Sequence, residues 1–187
     1  NSAPGAVKAN RNWWAVASSA DGRRLIAATR SVSLNMGRLY ISSDYGVTWI
    51  ETRPAGENTD KLWTAVASDA TGTHLIAGAT GGRLYFSSNS GMTWIQTYPG
   101  GVIDNRNWMT AAINSDGKHL IAGVSGGDLY QSSNTGTYGV STVWTRIYPP
   151  GGAIIGRNWR TSDMGFSGSY AIVGINGGKV YTSSNYG

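Results

Sequence analysis

Ser42-Ser43-Asp44-Tyr45-Gly46-Val47-Thr48-Trp49 is the stretch that decides the fold, because the chain repeats it. A second copy reads Ser87-Ser88-Asn89-Ser90-Gly91-Met92-Thr93-Trp94. A third opens at Ser132-Ser133-Asn134-Thr135-Gly136 and reaches its tryptophan, Trp144, after extra residues. A fourth, Ser183-Ser184-Asn185-Tyr186-Gly187, coincides with the last residues. Self-similarity at a period of this size marks an array of supersecondary units.

Other landmarks keep the same period. Each unit opens on a tryptophan: Trp13, Trp63, Trp108 and Trp159. A glycine follows nine residues later in every case (Gly22, Gly72, Gly117, Gly168), and a tyrosine further on (Tyr40, Tyr85, Tyr130, Tyr181). The simplest unit, Trp63 to Trp108, is 45 residues. The first and third units each carry five extra residues, around Arg30–Met36 and Thr137–Thr142. Insertions that leave the flanking register intact belong at hairpin tips.

Within unit two, Trp63–Ser68 reads as a first strand and Asp69–Thr73 as a turn whose Gly72 supplies a positive φ. His74–Ala79 is a nearly continuous apolar run, which suits a strand covered on both faces. Gly81-Gly82 turns the chain into a third strand, Arg83–Ser87, with Leu84 and Phe86 on one face. The Ser-x-Asn-x-Gly segment turns it again into a fourth, Met92–Thr97. Four antiparallel strands per repeat predict an all-β protein, a β-propeller of about four blades, either complete or part of a larger propeller or assembly. One domain, 1–187, is expected, with repeats near 13–62, 63–107, 108–158 and 159–187 and with 1–12 contributing to closure.

Composition agrees. The 187 residues include 27 glycines, 40% are hydrophobic and 13% charged. The net charge of +5 is spread along the chain, without the basic run that nucleic-acid binding requires. No apolar stretch has membrane length. Cysteine is absent, so disulfides say nothing about compartment. The chain opens on Asn1 instead of Met, which reads as upstream residues having been removed.

The Ser-x-Asp-x-Gly-x-Thr-Trp segments resemble the Asp-boxes (BNR repeats) of sialidase-type β-propellers. The wider pattern, Trp-x-Ala-Val-Ala-Ser…Leu-Ile-Ala…Gly-Gly-x-Leu-Tyr-x-Ser-Ser, is similar to Asp-box repeats of secreted or exported bacterial proteins. The resemblance covers nearly all of the chain and implies an extracellular or exported setting. It is specific for fold and not for function, because such repeats occur in hydrolases, lectins and assembly factors.

The residues of the box have local reasons. Asp44, Asn89, Asn134 and Asn185 can accept backbone N–H groups inside their own turns. Gly46, Gly91, Gly136 and Gly187 suit a left-handed position. Ser42, Ser87, Thr48 and Thr93 complete the turn, and Trp49, Trp94 and Trp144 are expected to pack beneath it as core. Asn replaces Asp in three copies. Turn capping tolerates that exchange and metal binding tolerates it poorly, so no metal is expected.

Catalysis finds little support. The sialidase resemblance implies an arginine triad, a tyrosine–glutamate pair and an acidic proton donor, and a glycosidase needs two facing carboxylates. Glu51 and Glu57 fall together in one inter-unit connection. His74 and His119 hold matching hairpin-end positions, which is not a metal pair. No cofactor is expected.

One constellation remains. Arg11-Asn12-Trp13, Arg106-Asn107-Trp108 and Arg157-Asn158-Trp159 repeat, while unit two has Lys61-Leu62-Trp63. Two readings compete. The tryptophan packs between blades with its arginine stacked on it, or each copy is a shallow sugar site made stronger by multivalency. The second gives the functional expectation: a non-catalytic, lectin-like module binding a glycan on one face. The alternatives are a protein–protein scaffold or assembly factor and, behind it, a sialidase-like hydrolase. The ends are phased for a blade but four residues short. That predicts either a small ring with a degenerate last blade or a larger assembly, including a homo-oligomer or a longer chain.

Overall fold

A computed structural model describes residues 11–30, 37–56, 60–101, 105–133, 143–148 and 156–186. Expectations about 1–10, the inner part of both insertions, Glu57, Asn134, Gly136 and Gly187 fall outside these. Every described strand is antiparallel to its neighbour. The first blade is β1 (Trp13–Ser18), β2 (Leu25–Thr29), β3 (Leu39–Ser42) and β4 (Ile50–Thr52). The second is β5 (Leu62–Ser68), β6 (Leu75–Thr80), β7 (Leu84–Ser87) and β8 (Ile95–Thr97). The third is β9 (Trp108–Ile113), β10 (His119–Gly127), β11 (Leu129–Ser133) and β12 (Trp144–Ile147). The fourth has β13 (Arg157–Met164), β14 (Ala171–Ile175) and β15 (Val180–Ser183). This is the blade order that the repeat predicted. The fourth strand of unit two is shorter than expected, because Met92, Thr93 and Trp94 belong to the turn. The first insertion lies between β2 and β3 and the second between β11 and β12, both hairpin connections.

The opening tryptophans form the core. Trp63 packs among Ile26, Ala28, Leu39 and Ile41 of the first blade. Trp108 packs among Ile76, Leu84 and Phe86 of the second, and Trp159 against Ile121 and Leu129 of the third. Each indole meets its own unit's tyrosine edge-on or tilted, at 5.7 Å for Trp63–Tyr85, 5.8 Å for Trp108–Tyr130 and 6.0 Å for Trp159–Tyr181. Room for the ring comes from a small residue on the preceding blade. A Cβ on Gly78 would lie 2.7 Å from Cβ of Trp108, and one on Gly123 would lie 2.8 Å from Cβ of Trp159.

Two seams of backbone hydrogen bonds join blade to blade. In one, Ala20 N donates to Ala70 O (2.8 Å), Ala70 N to Ser115 O (3.1 Å) and Ser115 N to Phe166 O (3.2 Å). The glycines nine residues after each tryptophan lie along this seam. Gly72, Gly117 and Gly168 have φ of +68°, +77° and +81°, and their open α-carbons face Arg24, His74 and His119 of the preceding blade. Positive φ and close approach both demand glycine there. In the other seam, Arg106 exchanges backbone bonds with Gly82 (2.8 and 3.1 Å), Lys61 N donates to Gly37 O (3.3 Å), and Arg157 pairs with Gly127.

Burial of this kind sets the expected energetics. Trp108→Ala should cost about 3–5 kcal/mol, and Gly78→Val about 1–3 kcal/mol through overpacking. Trp94→Ala should cost less than Trp108→Ala, because Trp94 is only partly buried. Urea denaturation of the three variants would read these values. A Trp108→Ala loss below about 1 kcal/mol would contradict the packing described.

Candidate binding face

The turns behind β3 and β7 share one hydrogen-bond pattern. Ser42 Oγ donates to Asp44 Oδ1 (2.8 Å) and accepts from Gly46 N (2.9 Å), while Asp44 Oδ1 accepts from Thr48 N (2.8 Å). In the second copy, Ser87 Oγ donates to Asn89 Oδ1 (3.0 Å) and accepts from Gly91 N (2.9 Å), and Thr93 N donates to Asn89 Oδ1 (2.8 Å). Only the last bond changes direction. Thr48 Oγ1 donates to Asp44 Oδ2, whereas Asn89 Nδ2 donates to Thr93 Oγ1. Ser183 Oγ donates to Asn185 Oδ1 in the fourth copy (2.8 Å). The threonine hydroxyl rotates to serve either partner, which is why Asp and Asn interchange.

The turn tryptophans depart from the expected core role. Trp49 and Trp94 are half-buried and fold back so that Nε1 donates to Gly46 O (3.0 Å) and Gly91 O (3.1 Å). Trp94 Nε1 also donates to Thr52 Oγ1 of the first blade (2.7 Å). Trp144 is buried. Tyr45, Ser90 and Tyr186 take positive φ, a feature their side chains do not announce.

The Arg-Asn-Trp repeats are not three open sugar platforms. Trp108 and Trp159 are buried between blades, so their ring faces are covered by protein. Arg11 and Arg106 lie over Tyr40 and Tyr130 (5.1 and 5.0 Å) and donate to their hydroxyls. Arg157, itself buried, lies over Tyr181 at 5.0 Å and Trp159 at 5.8 Å. The asparagines serve the seam: Asn107 Oδ1 accepts from Gly81 N (2.9 Å) and Asn158 Oδ1 from Ser125 Oγ (3.2 Å), while Asn12 O accepts from Arg30 N (2.9 Å). Core packing outcompetes surface display because an indole gains more from a fitted apolar slot than from water. Trp13 alone among the opening tryptophans stays exposed.

The residue after each opening tryptophan behaves differently. Every innermost strand has a register shift there, between Trp13 and Ala15, Trp63 and Ala65, and Trp159 and Thr161, with the matching shift in β9–β10. Such bulges re-aim a side chain. The positions hold Trp14, Thr64, Met109 and Arg160. Thr64 Oγ1 donates to Trp108 O, and Thr80 Oγ1 meets Met109 Sδ at 3.6 Å, so the middle of the row is packed. Its two ends are exposed and meet each other. The Arg160 guanidinium lies 5.3 Å from the centre of the Trp14 ring, and Arg30 lies 4.4 Å from it. Among the described residues neither arginine has a carboxylate within ion-pair distance, and Arg30 Nε is buried without a partner. The sequence hid this cluster because only its variability within a repeat marks it, and Arg30 reads as the edge of an insertion.

The acidic side chains have structural employment. Glu51 bridges Arg38 (2.9 Å) and Arg53 (2.7 Å), and Arg38 also reaches Asp60 (3.4 Å) around a cleft beside Trp63. Asp128 pairs with Arg146. Buried Asp69 contacts His74 Nδ1 (2.7 Å) and accepts from Thr71 Oγ1 and Thr73 N. Burial pushes the Asp69 carboxyl up, but hydrogen bonds from His74 and Thr71 outweigh it and leave the pKa below the ordinary carboxylate value. Asp44 is also held low, by the bonds from Thr48.

No protein-family model matches the sequence, and no curated relative does either. Solved structures do. A GH74 enzyme from Niastella koreensis superposes with a TM-score of 0.67 at 16% identity, over 91% of this chain and 28% of its own. YCF48 from Cyanidioschyzon merolae gives 0.58 at 18% identity, over 92% and 50%. The β-propeller domain of Myceliophteria thermophila Cps50 (Swd1) gives 0.61 at 12% identity, over 94% and 52%. The chain therefore spans between about a quarter and a half of these proteins. Likeness at such identity shows the fold, and the fold is a β-propeller array.

Two outcomes test these turns. Asp44→Asn should leave the unfolding midpoint nearly unchanged, while Asp44→Ala should lower it clearly, since only alanine removes the acceptor for Thr48 N. The second concerns acid. Because Asp69 has a depressed pKa in the fold, its stabilisation is complete above its unfolded value, near 3.8, and fades as pH falls through the lower folded value. Urea midpoints taken from pH 5 downward should fall less steeply in Asp69→Asn than in the parent; equal slopes would remove Asp69 from the acid response.

Proposed function

We propose that this chain is a non-catalytic, Asp-box-type binding module of an exported protein, and that it takes an acidic saccharide at the Trp14–Arg30–Arg160 cluster. The observation that carries this reading is the convergence on one exposed indole of two guanidiniums that have no carboxylate partner among the described residues. Guanidinium forks match a carboxylate bidentately, and an indole suits the C–H surface of a sugar ring. A uronic acid combines both features. The expectation of repeated glycan sites narrows to one, because the opening indoles Trp63, Trp108 and Trp159 are buried. The engagement of Glu51 and Asp128 in ion pairs, and of Asp69 in hydrogen bonds, favours binding over hydrolysis. A protein partner is the second reading, favoured by Tyr45, Val47 and Met92, which the turns hold out to solvent.

Calorimetric titration with oligogalacturonate, beside a neutral xyloglucan oligosaccharide, tests the proposal. The acidic oligomer should bind, more weakly at higher salt. Arg160→Gln and Trp14→Ala should each weaken it at least about tenfold. Both side chains are exposed, so circular dichroism should be unchanged. Equal binding of the two oligomers, or indifference to Arg160→Gln, would overturn the proposal. Release of reducing ends would return the hydrolase reading.

A further inference from the structure

The repeat exposes what is unusual about its first and last blades. Ile26, Ile76, Ile121 and Ile172 hold one position of the four units. Ile121 is 1% exposed, but Ile172 is 45% exposed. Leu39, Leu84, Leu129 and Val180 hold another, and Val180 is 65% exposed where Leu129 is 2%. At the opposite end, Trp13 is 40% exposed where Trp159 is 2%. Val16, matching buried Val66, is also exposed.

These surfaces are halves of the internal joint. The glycines that receive a tryptophan are Gly78 and Gly123, and the matching glycine of the fourth blade is Gly174. A Cβ there would meet only Thr161, with no indole over it. Gly72, Gly117 and Gly168 each face a side chain of the preceding blade, whereas Gly22 has nothing within 4 Å. The residue that would face Gly22, by the pattern of Arg24, His74 and His119, is Tyr170, which is exposed. The outer side of blade four thus carries the socket of the joint: Ile172, Gly174, Val180 and Tyr170. The outer side of blade one carries the plug: Trp13, Val16 and Gly22. Among the described residues Gly22 faces no side chain and no indole lies over Gly174, so the plug and socket of one chain are left unfilled by each other.

We infer that the socket of one copy takes the plug of a second copy, head to tail. The interface continues the joint already made three times inside the chain, Trp63 on blade one, Trp108 on blade two and Trp159 on blade three. It is heterologous: it gives a closed ring if the rotation closes and a longer array otherwise. A symmetric socket-to-socket pairing has no indole to fill the space over Gly174.

Size-exclusion light scattering across the micromolar range tests this with two exposed-site variants, Val16→Asp in the plug and Val180→Asp in the socket. The parent should be dimeric or larger. Each variant alone should be monomeric, and a mixture of the two should form a heterodimer, because one intact plug and one intact socket remain between them. Circular dichroism identical to the parent shows that both variants fold. A parent that stays monomeric overturns the inference. So does a Val16→Asp protein that still self-associates, since that is socket-to-socket pairing. Failure here leaves saccharide binding untouched, because Trp14 and Arg160 meet within one copy.

Discussion

The rest of the molecule depends on a tryptophan fitted over a residue without a side chain. Trp108 over Gly78 and Trp159 over Gly123 bring the inner strands of neighbouring blades close enough for two seams of backbone hydrogen bonds to form. The seams then fix the angle between blades, and the angle carries the array round until Arg160 reaches Trp14. A larger residue at Gly78 would therefore disturb more than local packing. It would separate Gly81 and Asn107, or Gly82 and Arg106, whose bonds lie on the same interface. In the first joint Ala28 takes the place of glycine in the cluster that holds Trp63, so the contact there tolerates a methyl.

The Ser-x-Asp and Ser-x-Asn turns solve a different problem. They close the β3–β4 and β7–β8 hairpins through side chains instead of long ladders, which suits the three-residue strands that follow. Each turn satisfies its own backbone donors through the serine and the Asp or Asn side chain. Their tryptophans complete the turn with an indole N–H on the box glycine's carbonyl and, at Trp94, tie it to Thr52 of the blade before. The turns are thus fasteners within and between blades.

How much of this the sequence revealed follows from the same distinction. Blade order, the turn residues and the hairpin position of both insertions were legible, because they depend on period, glycine and local hydrogen bonding. Which of the eight tryptophans are core was not. Trp13 and Trp159 stand in identical motifs, yet one is exposed and the other buried; burial depends on whether a blade precedes them in space. Likewise the sequence leaves Arg106 open between facing a ligand and stacking on a ring, and the array places it over Tyr130. The motif specifies a partner for each side chain, and only the assembled array shows that the partner is protein.

The candidate site lies where the repeat is least faithful. Repetition preserves what every blade needs, so the opening tryptophan, its tyrosine and the turn glycine recur without change. The bulged position after the tryptophan lies outside that shared set, and its contacts differ from blade to blade: Thr64 and Met109 pack against a neighbouring blade, while Trp14 and Arg160 are exposed. It accordingly varies, as Trp14, Thr64, Met109 and Arg160. The first and last of these positions, Trp14 and Arg160, meet, so a difference between blades becomes the make-up of one cluster. A repeat protein can in this way separate its stability from its specificity: identical residues hold the blades at a fixed angle, and the unlike residues at the bulges are brought together by that angle. The meeting of Arg160, Arg30 and Trp14 is a consequence of the joint geometry, although none of the three takes part in a joint.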